Sequence, residues 1–272
     1  MTVARDSITI LPEPSLPPLS RNKLLAVLPD AERALLGKHA TFVPLKRRDL
    51  LYETERPAPY VYFLVEGIAS LLSVMTDGTG VETATIGREG MVGMGVFHGV
   101  LVTPEQAMVQ VPGGAYRIPS SAFREILPSL PTLDTLLHRF SVVMFTLAAQ
   151  NSGCNRKHAV EARCARWLLM VADRVDTEIL ALTHDFVAQM LGVRRASVTE
   201  ALGALERRGL IETGRGRIGI VNRPGLEGVA CECYSIIRGT VQRLLQGCAD
   251  TSPLAAVKAS EDGKSTLREP HD

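Results

Sequence analysis

The 272-residue sequence has few aromatic residues and no long apolar run. Aromatics make up 5% of the chain, and this scarcity argues against a surface that stacks the bases of single-stranded nucleic acid. The longest near-apolar stretch, residues 142–149, is far too short to cross a membrane, so no membrane partner is expected. The N-terminus lacks a cationic start followed by an apolar run, and a secretory signal is therefore not expected.

The sequence also lacks a charge excess of either sign. It holds 30 Lys and Arg against 29 Asp and Glu, a formal net charge of +1. This balance excludes a globally basic coat protein, so any nucleic-acid site must be a local patch. The 5 cysteines are an odd number in a chain too long to need disulfides, and reduced thiols in a cytoplasm are the simplest interpretation. The length and the 46% hydrophobic content predict about two domains with real cores.

The first half of the chain is patterned as sheet. Residues 1–20 are rich in proline and are interpreted as a mobile, disordered arm. From residue 41 to 118 the apolar period is two, and glycines recur between the short apolar segments. The pair Asp77-Gly78 is a tight-turn signal. These features predict an antiparallel sandwich or barrel within a first domain at 21–130.

A long helix is predicted at 131–157. Its apolar residues form a heptad-like stripe: Leu133, Leu136, Phe140, Val143 and Leu147. One interpretation is that the stripe packs on the β-domain of its own chain. The interpretation that we prefer from sequence is a two-chain seam that makes a homodimer, because the stripe is long.

The pattern from 158 to 228 predicts a winged helix-turn-helix domain. A short helix capped by Thr183 ends at Gly192, a second helix runs from about 195 to 207, and two short strands flank an arginine-tipped turn. Between residues 190 and 223 seven arginines face three glutamates, a local basic patch. The alternative is a solvated helical hairpin. A last helix is predicted at 229–248, and its apolar pattern starts already at Leu226. The remaining residues, 249–272, are predicted to be a disordered tail.

Three motifs carry a resemblance to a known family. Residues 51–53 and 61–67 are similar to the first roll strands of the CRP/FNR family of bacterial transcription regulators, and 87–93 match its glycine-rich turn. Residues 182–199 resemble its DNA-reading motif. The resemblance implies an α+β fold: an N-terminal antiparallel, jelly-roll-like β-roll, a long dimerisation helix and a C-terminal winged helix-turn-helix. It also implies a homodimer on pseudo-palindromic double-stranded DNA, with RNA polymerase as a further partner.

Within that resemblance, the candidate DNA-binding residues lie on the second helix, its flanks and the wing: Thr183, Arg194, Arg195, Ala196, Ser197, Thr199, Glu200, Arg215 and Arg217. Arg195 is expected to bond a guanine and Arg215 a phosphate. Family members commonly have Glu where this chain has Ala196, and Arg where it has Glu200. The operator should therefore differ from the well-known half-sites.

The candidate effector pocket departs from the cyclic-nucleotide pattern. The family places a Glu just after the third glycine of the turn, Gly93, and an Arg before the Ala-x-Val strand; here Met94 and the pair Glu105-Gln106 stand there. A carboxylate in place of the phosphate cation repels the ligand. The resemblance therefore implies the roll but not cyclic AMP, and the effector is unknown.

No metal site or cofactor is expected from the sequence. The chain has no cysteine before 154, which argues against an N-terminal iron–sulfur cluster. Cys231 and Cys233 fall on a predicted helix, where two residues apart means facing apart. No catalytic motif is recognisable, so the chain is not expected to be an enzyme. The remaining alternative function is a roll-based ligand receptor, or interaction protein, whose C-terminal block docks a protein.

Overall fold

The computed structural model describes residues 16–246. Residues 1–15 of the predicted arm and the predicted tail at 249–272 lie outside the described residues. The prediction of a loose arm is wrong for its last residues: the Tyr116 hydroxyl donates to the Pro17 carbonyl oxygen at 2.6 Å, and Leu19 packs against the core. Two short helices follow, α1 (Lys23–Ala26) and α2 (Asp30–Gly37).

The N-terminal domain is an antiparallel sheet with short helices at its ends. Its elements are β1 (Thr41–Leu45), β2 (Leu50–Tyr52), β3 (Tyr60–Val74), β4 (Gly80–Ile86), β5 (Met91–Val92), α3 (Met94–Phe97), β6 (Glu105–Pro119) and α4 (Ser120–Ile126). The strand order is β1-β6-β3-β4, with β2 beside β6 and β5 beside β3. The register of β3 against β6 shifts between Leu64 and Ala69, and such bulges bend paired strands into a roll.

Two glycines are required by the geometry of this roll. Gly67 in β3 has φ of +81°, and a Cβ there would lie 2.5 Å from the Val111 carbonyl oxygen of β6. Gly78 also has φ of +81°, at the turn between β3 and β4 where the sequence predicts it. Both positions need the left-handed region that glycine adopts without steric cost.

The predicted long helix is α5 (Pro131–Lys157), which packs against the roll. Proline occupies its first turn, where the missing N–H costs nothing. Glu32 of α2 caps it, because its two carboxylate oxygens accept from the backbone N–H groups of Thr132 at 3.0 Å and Leu133 at 3.1 Å. The N-terminal helices therefore fix the start of α5.

The prediction that the apolar stripe of α5 is a two-chain seam is wrong. Its five residues are at most 4% exposed within a single chain: Leu133, Leu136, Phe140, Val143 and Leu147. They belong to the continuous core that also contains roll side chains such as Ile86. The chain's own β-domain satisfies the heptad spacing, since a helix packs its apolar face on a sheet with the same periodicity as on a second helix.

The C-terminal domain combines helices with a small sheet. It contains α6 (Val160–Val175), β7 (Ile179–Leu180), α7 (His184–Leu191), α8 (Arg195–Arg207), β8 (Ile211–Gly214), β9 (Arg217–Ile220) and α9 (Arg223–Val229). The strands pair in the order β7-β9-β8, all antiparallel. This arrangement confirms the predicted winged helix-turn-helix.

The predicted continuous last helix is two helices. After α9 ends at Val229, the chain turns through residues 230–232 and re-enters a helix as α10 (Cys233–Gln246). The C-terminal helix packs mainly against α5 and α6. No helix within residues 16–246 is long and apolar enough to span a membrane.

Candidate nucleic-acid interface

The turn between α7 and α8 sets the direction of the second helix. The Thr183 hydroxyl caps α7 by accepting from the Phe186 backbone N–H at 3.3 Å, and Gly192 ends α7 with φ of +62°. A left-handed residue at this position reverses the chain within a few residues. The buried Val198, Leu202 and Leu205 of α8 hold that helix on the domain core.

The opposite face of α8 carries the side chains predicted to read DNA. Five of the six predicted residues there are exposed: Arg194, Arg195, Ala196, Thr199 and Glu200. Ser197 is half-buried, because it lines a cleft between the β3–β4 turn and the start of α8, together with Arg194. Most of the residues predicted at the start of α8 are therefore open to solvent.

Two residues of this surface have partners within the chain. Arg195 Nε lies 3.3 Å from the Asp185 carboxylate of α7, and both side chains are more than 60% exposed. Thr199 Oγ1 lies 3.1 Å from His184 Nδ1. An exposed ion pair of this kind is worth roughly 0–1 kcal/mol, so Arg195 can exchange Asp185 for another acceptor at little cost.

The wing is a tight hairpin with two exposed arginines near its tip. Gly214 pairs with Arg217 across the hairpin, leaving Arg215 and Gly216 as the two turn residues. Gly216 has φ of +72° and so permits the turn. Arg215 and Arg217 are both exposed.

The structure reduces the basic patch counted from sequence. Arg223 is bound by three carboxylates: Asp173, Glu178 at 2.8 Å and Glu227 at 3.1 Å. Arg208 pairs with Glu161 at 3.0 Å. Both arginines therefore already have carboxylate partners within the domain, and the remaining outward charge comes from α8 and the wing.

The candidate effector residues lie at the ends of roll elements. Gly93, with φ of +99°, precedes α3, and Met94 opens that helix half-buried. Glu105 and Gln106 start β6 and pair with the far end of β3. The Tyr52 hydroxyl donates to the Glu105 carboxylate at 2.8 Å. Burial and the adjacent Glu105 charge raise the pKa of Tyr52, so this phenol stays a donor.

The roll contacts the winged domain through ionisable groups. Glu82 of β4 accepts from Trp167 Nε1 of α6 at 2.9 Å and from the Ser70 hydroxyl at 2.7 Å. Burial raises the pKa of Glu82 to about 7 against the effect of these hydrogen bonds. Arg174 of α6 donates to Glu89 of the roll at 2.8 Å. These contacts join the roll to α6, and α6 in turn packs against α8.

Sequence reasoning missed a cluster where α5, α6 and α10 meet. The expectation that Cys231 and Cys233 face apart on a helix is wrong, because α10 begins at Cys233 and Cys231 lies in the preceding turn. Both thiols meet Cys154 and His158 of α5 and its cap. The hydrogen bond with Cys231 lowers the pKa of the Cys154 thiol. The four-residue spacing from Cys154 to His158, one face of a helix end, was the available signal.

Comparisons with known proteins agree with this architecture. Residues 42–129 match the family model of the cyclic nucleotide-binding domain, and residues 162–229 match that of the Crp-like helix-turn-helix domain. Together the two models span more than half of the chain, in the order that the sequence motifs predict. The chain belongs to the CRP/FNR family of transcription regulators.

Solved structures with the same fold are covered over almost their whole length. A CRP/FNR-family transcriptional regulator from Thermus thermophilus is 23% identical with a TM-score of 0.56, covering 70% of this chain and 98% of that one. FixK2 from Bradyrhizobium japonicum is 18% identical with a TM-score of 0.56, covering 71% and 98%. The c-di-GMP-responsive regulator CLP from Xanthomonas campestris is 14% identical with a TM-score of 0.57, covering 71% and 99%. The search of curated proteins found no match.

Proposed function

We propose that the chain is a homodimeric, sequence-specific DNA-binding regulator in which α8 enters the major groove. The observation that carries this proposal is the exposed polar and cationic face of α8, together with the two exposed arginines of the wing. The roll at 21–130 acts as the sensing domain, α5 as the dimerisation element, and 158–228 as the DNA-binding domain. Residues 229–246 of the predicted C-terminal segment support that domain through α10.

Individual side chains of α8 have distinct proposed roles. Arg195 bonds both acceptors of one guanine, Ala196 contacts a thymine methyl group, and Glu200 accepts from a cytosine amine. Ser197, Thr199 and Thr183 bond neighbouring phosphates or base edges. Positive charge for the phosphate backbone comes from three exposed arginines: Arg194, Arg215 and Arg217.

The proposed dimer uses the outer face of α5, opposite the buried stripe. Val142 is 65% exposed and Phe145 is 76% exposed, and they lie three residues apart on one side of the helix. Exposed Ala149 continues this side one turn further. A second copy of the chain fits this face because a two-fold interface brings the same apolar patch from both chains together.

The proposed effector is a molecule other than cyclic AMP. The Glu105 carboxylate, bound by Tyr52, stands where the family's pattern has the cation that holds the nucleotide phosphate. Met94 provides no acceptor for a ribose hydroxyl. The responsiveness of the Xanthomonas relative to c-di-GMP supports the view that the shared fold takes other effectors. Calorimetry with cyclic AMP should show no micromolar binding, and such binding would overturn this part of the proposal.

Selection of bound sites from a random oligonucleotide pool tests the function. We expect one pseudo-palindromic sequence, with half-sites about one helical turn apart and binding that weakens steeply with salt. The Phe145→Asp variant should sediment as a monomer and lose this site, while Leu50→Asp, on a roll strand, should remain a dimer. Enrichment of no sequence contradicts specific DNA binding, and a dimeric Phe145→Asp protein contradicts the proposed interface.

A further inference from the structure

Three thiols and one imidazole converge on a single point at the junction of α5 and α10. The ligand atoms of Cys154, His158, Cys231 and Cys233 all lie within 4.8 Å of one another. Cys154 is at the last turn of α5, His158 follows its end, and the other two residues precede and open α10. Segments more than 70 residues apart in sequence thus supply one compact set of ligands.

Two of the distances within the cluster match the edges of a tetrahedron around one ion. Cys154 Sγ and Cys231 Sγ are 3.5 Å apart, and Cys233 Sγ is 3.6 Å from His158 Nδ1. Zinc–sulfur bonds of about 2.3 Å and zinc–nitrogen bonds of about 2.0 Å in tetrahedral geometry place ligand atoms roughly 3.5–3.8 Å apart. An iron–sulfur cube is larger than one ion and requires its ligands to be spread more widely.

The surroundings of the cluster orient its ligands. His158 Nε2 lies 3.1 Å from the Glu232 carboxylate, leaving Nδ1 directed at the thiols. A ligating histidine in proteins almost always donates its other ring N–H to such an acceptor. Gln150 Nε2 donates to Cys233 Sγ at 3.0 Å. The arrangement therefore includes both the ligands and the outer contacts that a metal site needs.

Buried positive charge lies next to the thiols. Arg163 and Arg166 are 5% and 4% exposed, and neither forms an ion pair with a carboxylate in the described part of the chain. Arg166 Nη1 donates to Asn151 Oδ1 at 2.8 Å, and Arg163 Nη2 donates to Asn155 Oδ1 at 2.7 Å, so both guanidinium groups lie beside the turn of α5 that holds Cys154. Three thiolates with one divalent ion leave a net negative charge, and buried guanidinium groups of this kind stabilise it.

We propose that Cys154, His158, Cys231 and Cys233 bind one Zn²⁺ in a closed, structural site. Three sulfur ligands and one nitrogen favour zinc over magnesium or calcium, which take oxygen ligands. Four protein ligands complete the coordination shell, so the site holds no open position for a substrate. The ion fastens α10 to the end of α5, at the junction from which α6 leads into the DNA-binding domain.

Metal analysis and cobalt substitution test this site in the full chain. All proteins carry Cys248→Ser, because this substitution removes a thiol outside the described residues. Reduced protein should contain about one zinc per chain. After removal of zinc by a chelator, one Co²⁺ per chain should restore a thiolate-to-cobalt absorption band with the visible bands of a tetrahedral ion. Hydrogen exchange in residues 229–243 should slow when the metal returns.

Matched variants separate this site from general thiol chemistry. Cys164 is buried in α6 outside the cluster, so Cys164→Ser should keep the zinc that Cys154→Ser and Cys231→Ser lose. The Glu232 side chain is 68% exposed, so Glu232→Gln should fold normally and bind cobalt about 10–100-fold more weakly. Absence of cobalt bands, equal metal loss in Cys164→Ser, acid-labile sulfide, or a metal-free Cys154–Cys231 disulfide in freshly purified protein would each overturn the proposal.

Discussion

Two sets of arginines in this chain differ in where their partners lie. Arg88 and Arg174 bridge the roll and the winged domain by pairing with Asp176 and Glu89. The arginines at the start of α8 and on the wing are exposed, and Arg195 among them makes a loose ion pair. The inner arginines pair with carboxylates across an interface within the chain, whereas we propose that the outer arginines pair with an anion from outside it. Burial and partner, rather than residue type, separate the structural charges from the proposed DNA-binding charges.

The largest effect is expected at the inner pair. Arg174→Ala leaves the Glu89 carboxylate buried without its cation, since both side chains are less than 10% exposed. Breaking such a pair costs about 3–5 kcal/mol of unfolding free energy, whereas Arg207→Ala, at an exposed site of α8, should change it by less than about 0.5 kcal/mol. Urea unfolding of the two variants measures the difference. Equal stability of both proteins would erase the distinction between inner and outer arginines.

The next effect is a pH dependence at the same interface. Burial raises the pKa of Glu82 from 4.5 to about 7, so between these values the folded chain holds a proton that the unfolded chain has lost. Stability therefore falls as the pH rises through this window, by about 3 kcal/mol in total.

Glu82→Gln should remove this slope, because the amide keeps an oxygen for the Trp167 N–H but does not titrate. Unfolding of wild type and variant from pH 4 to pH 8 tests the sign, with Glu125→Gln on the exposed side of α4 as control. A wild-type protein whose stability relative to the variant rises with pH in this window would show that Glu82 is charged in the folded state.

The outer surface could be predicted from sequence because its signals are local. The Thr183 cap, Gly192, the arginines after it and the wing glycine all act within a few residues. The helix at 131–157 was also predictable, since its period is long and regular. The roll could be predicted because its apolar residues alternate with a period of two and glycines mark its turns.

The inner contacts could not be predicted because they join distant segments. The spacing of Phe140 and its neighbours fits a sheet as well as a second helix, so only the structure shows which is packed there. Arg223 counts as basic in the sequence, but Asp173 and Glu178 meet it only after folding. The break before Cys233 depends on the packing of α10, and a continuous apolar pattern across 226–241 hid it.

Substitution of Arg195 is expected to change stability less than substitution of Arg174, and to act mainly on DNA binding. Arg195→Ala should cost on the order of 1–3 kcal/mol on the selected operator and relax preference at one base pair, with random DNA less affected. The matched variant Asp185→Asn removes the carboxylate that pairs with Arg195 and should retain operator discrimination. If Arg195→Ala keeps full discrimination, or if Asp185→Asn loses as much discrimination as Arg195→Ala does, Arg195 is a structural residue of the helix pair.

The smallest effect is expected at Arg215, where charge alone matters. The residue stands at the tip of the wing, exposed, beside Gly216. Arg215→Ala should weaken the binding of operator and of random DNA about equally. It should also reduce the slope of log affinity against log salt by about one, because one phosphate's counterion is no longer released.

Arg215→Lys should keep the wild-type slope, because a lysine neutralises a phosphate as well as an arginine does. Arg195→Lys, in contrast, should lose discrimination, because lysine lacks the planar fork that bonds two guanine acceptors. Titrations at several salt concentrations compare the two lysine variants directly. If both variants lose discrimination between operator and random DNA, the wing reads sequence as α8 does. If both keep it, Arg195 contributes only charge.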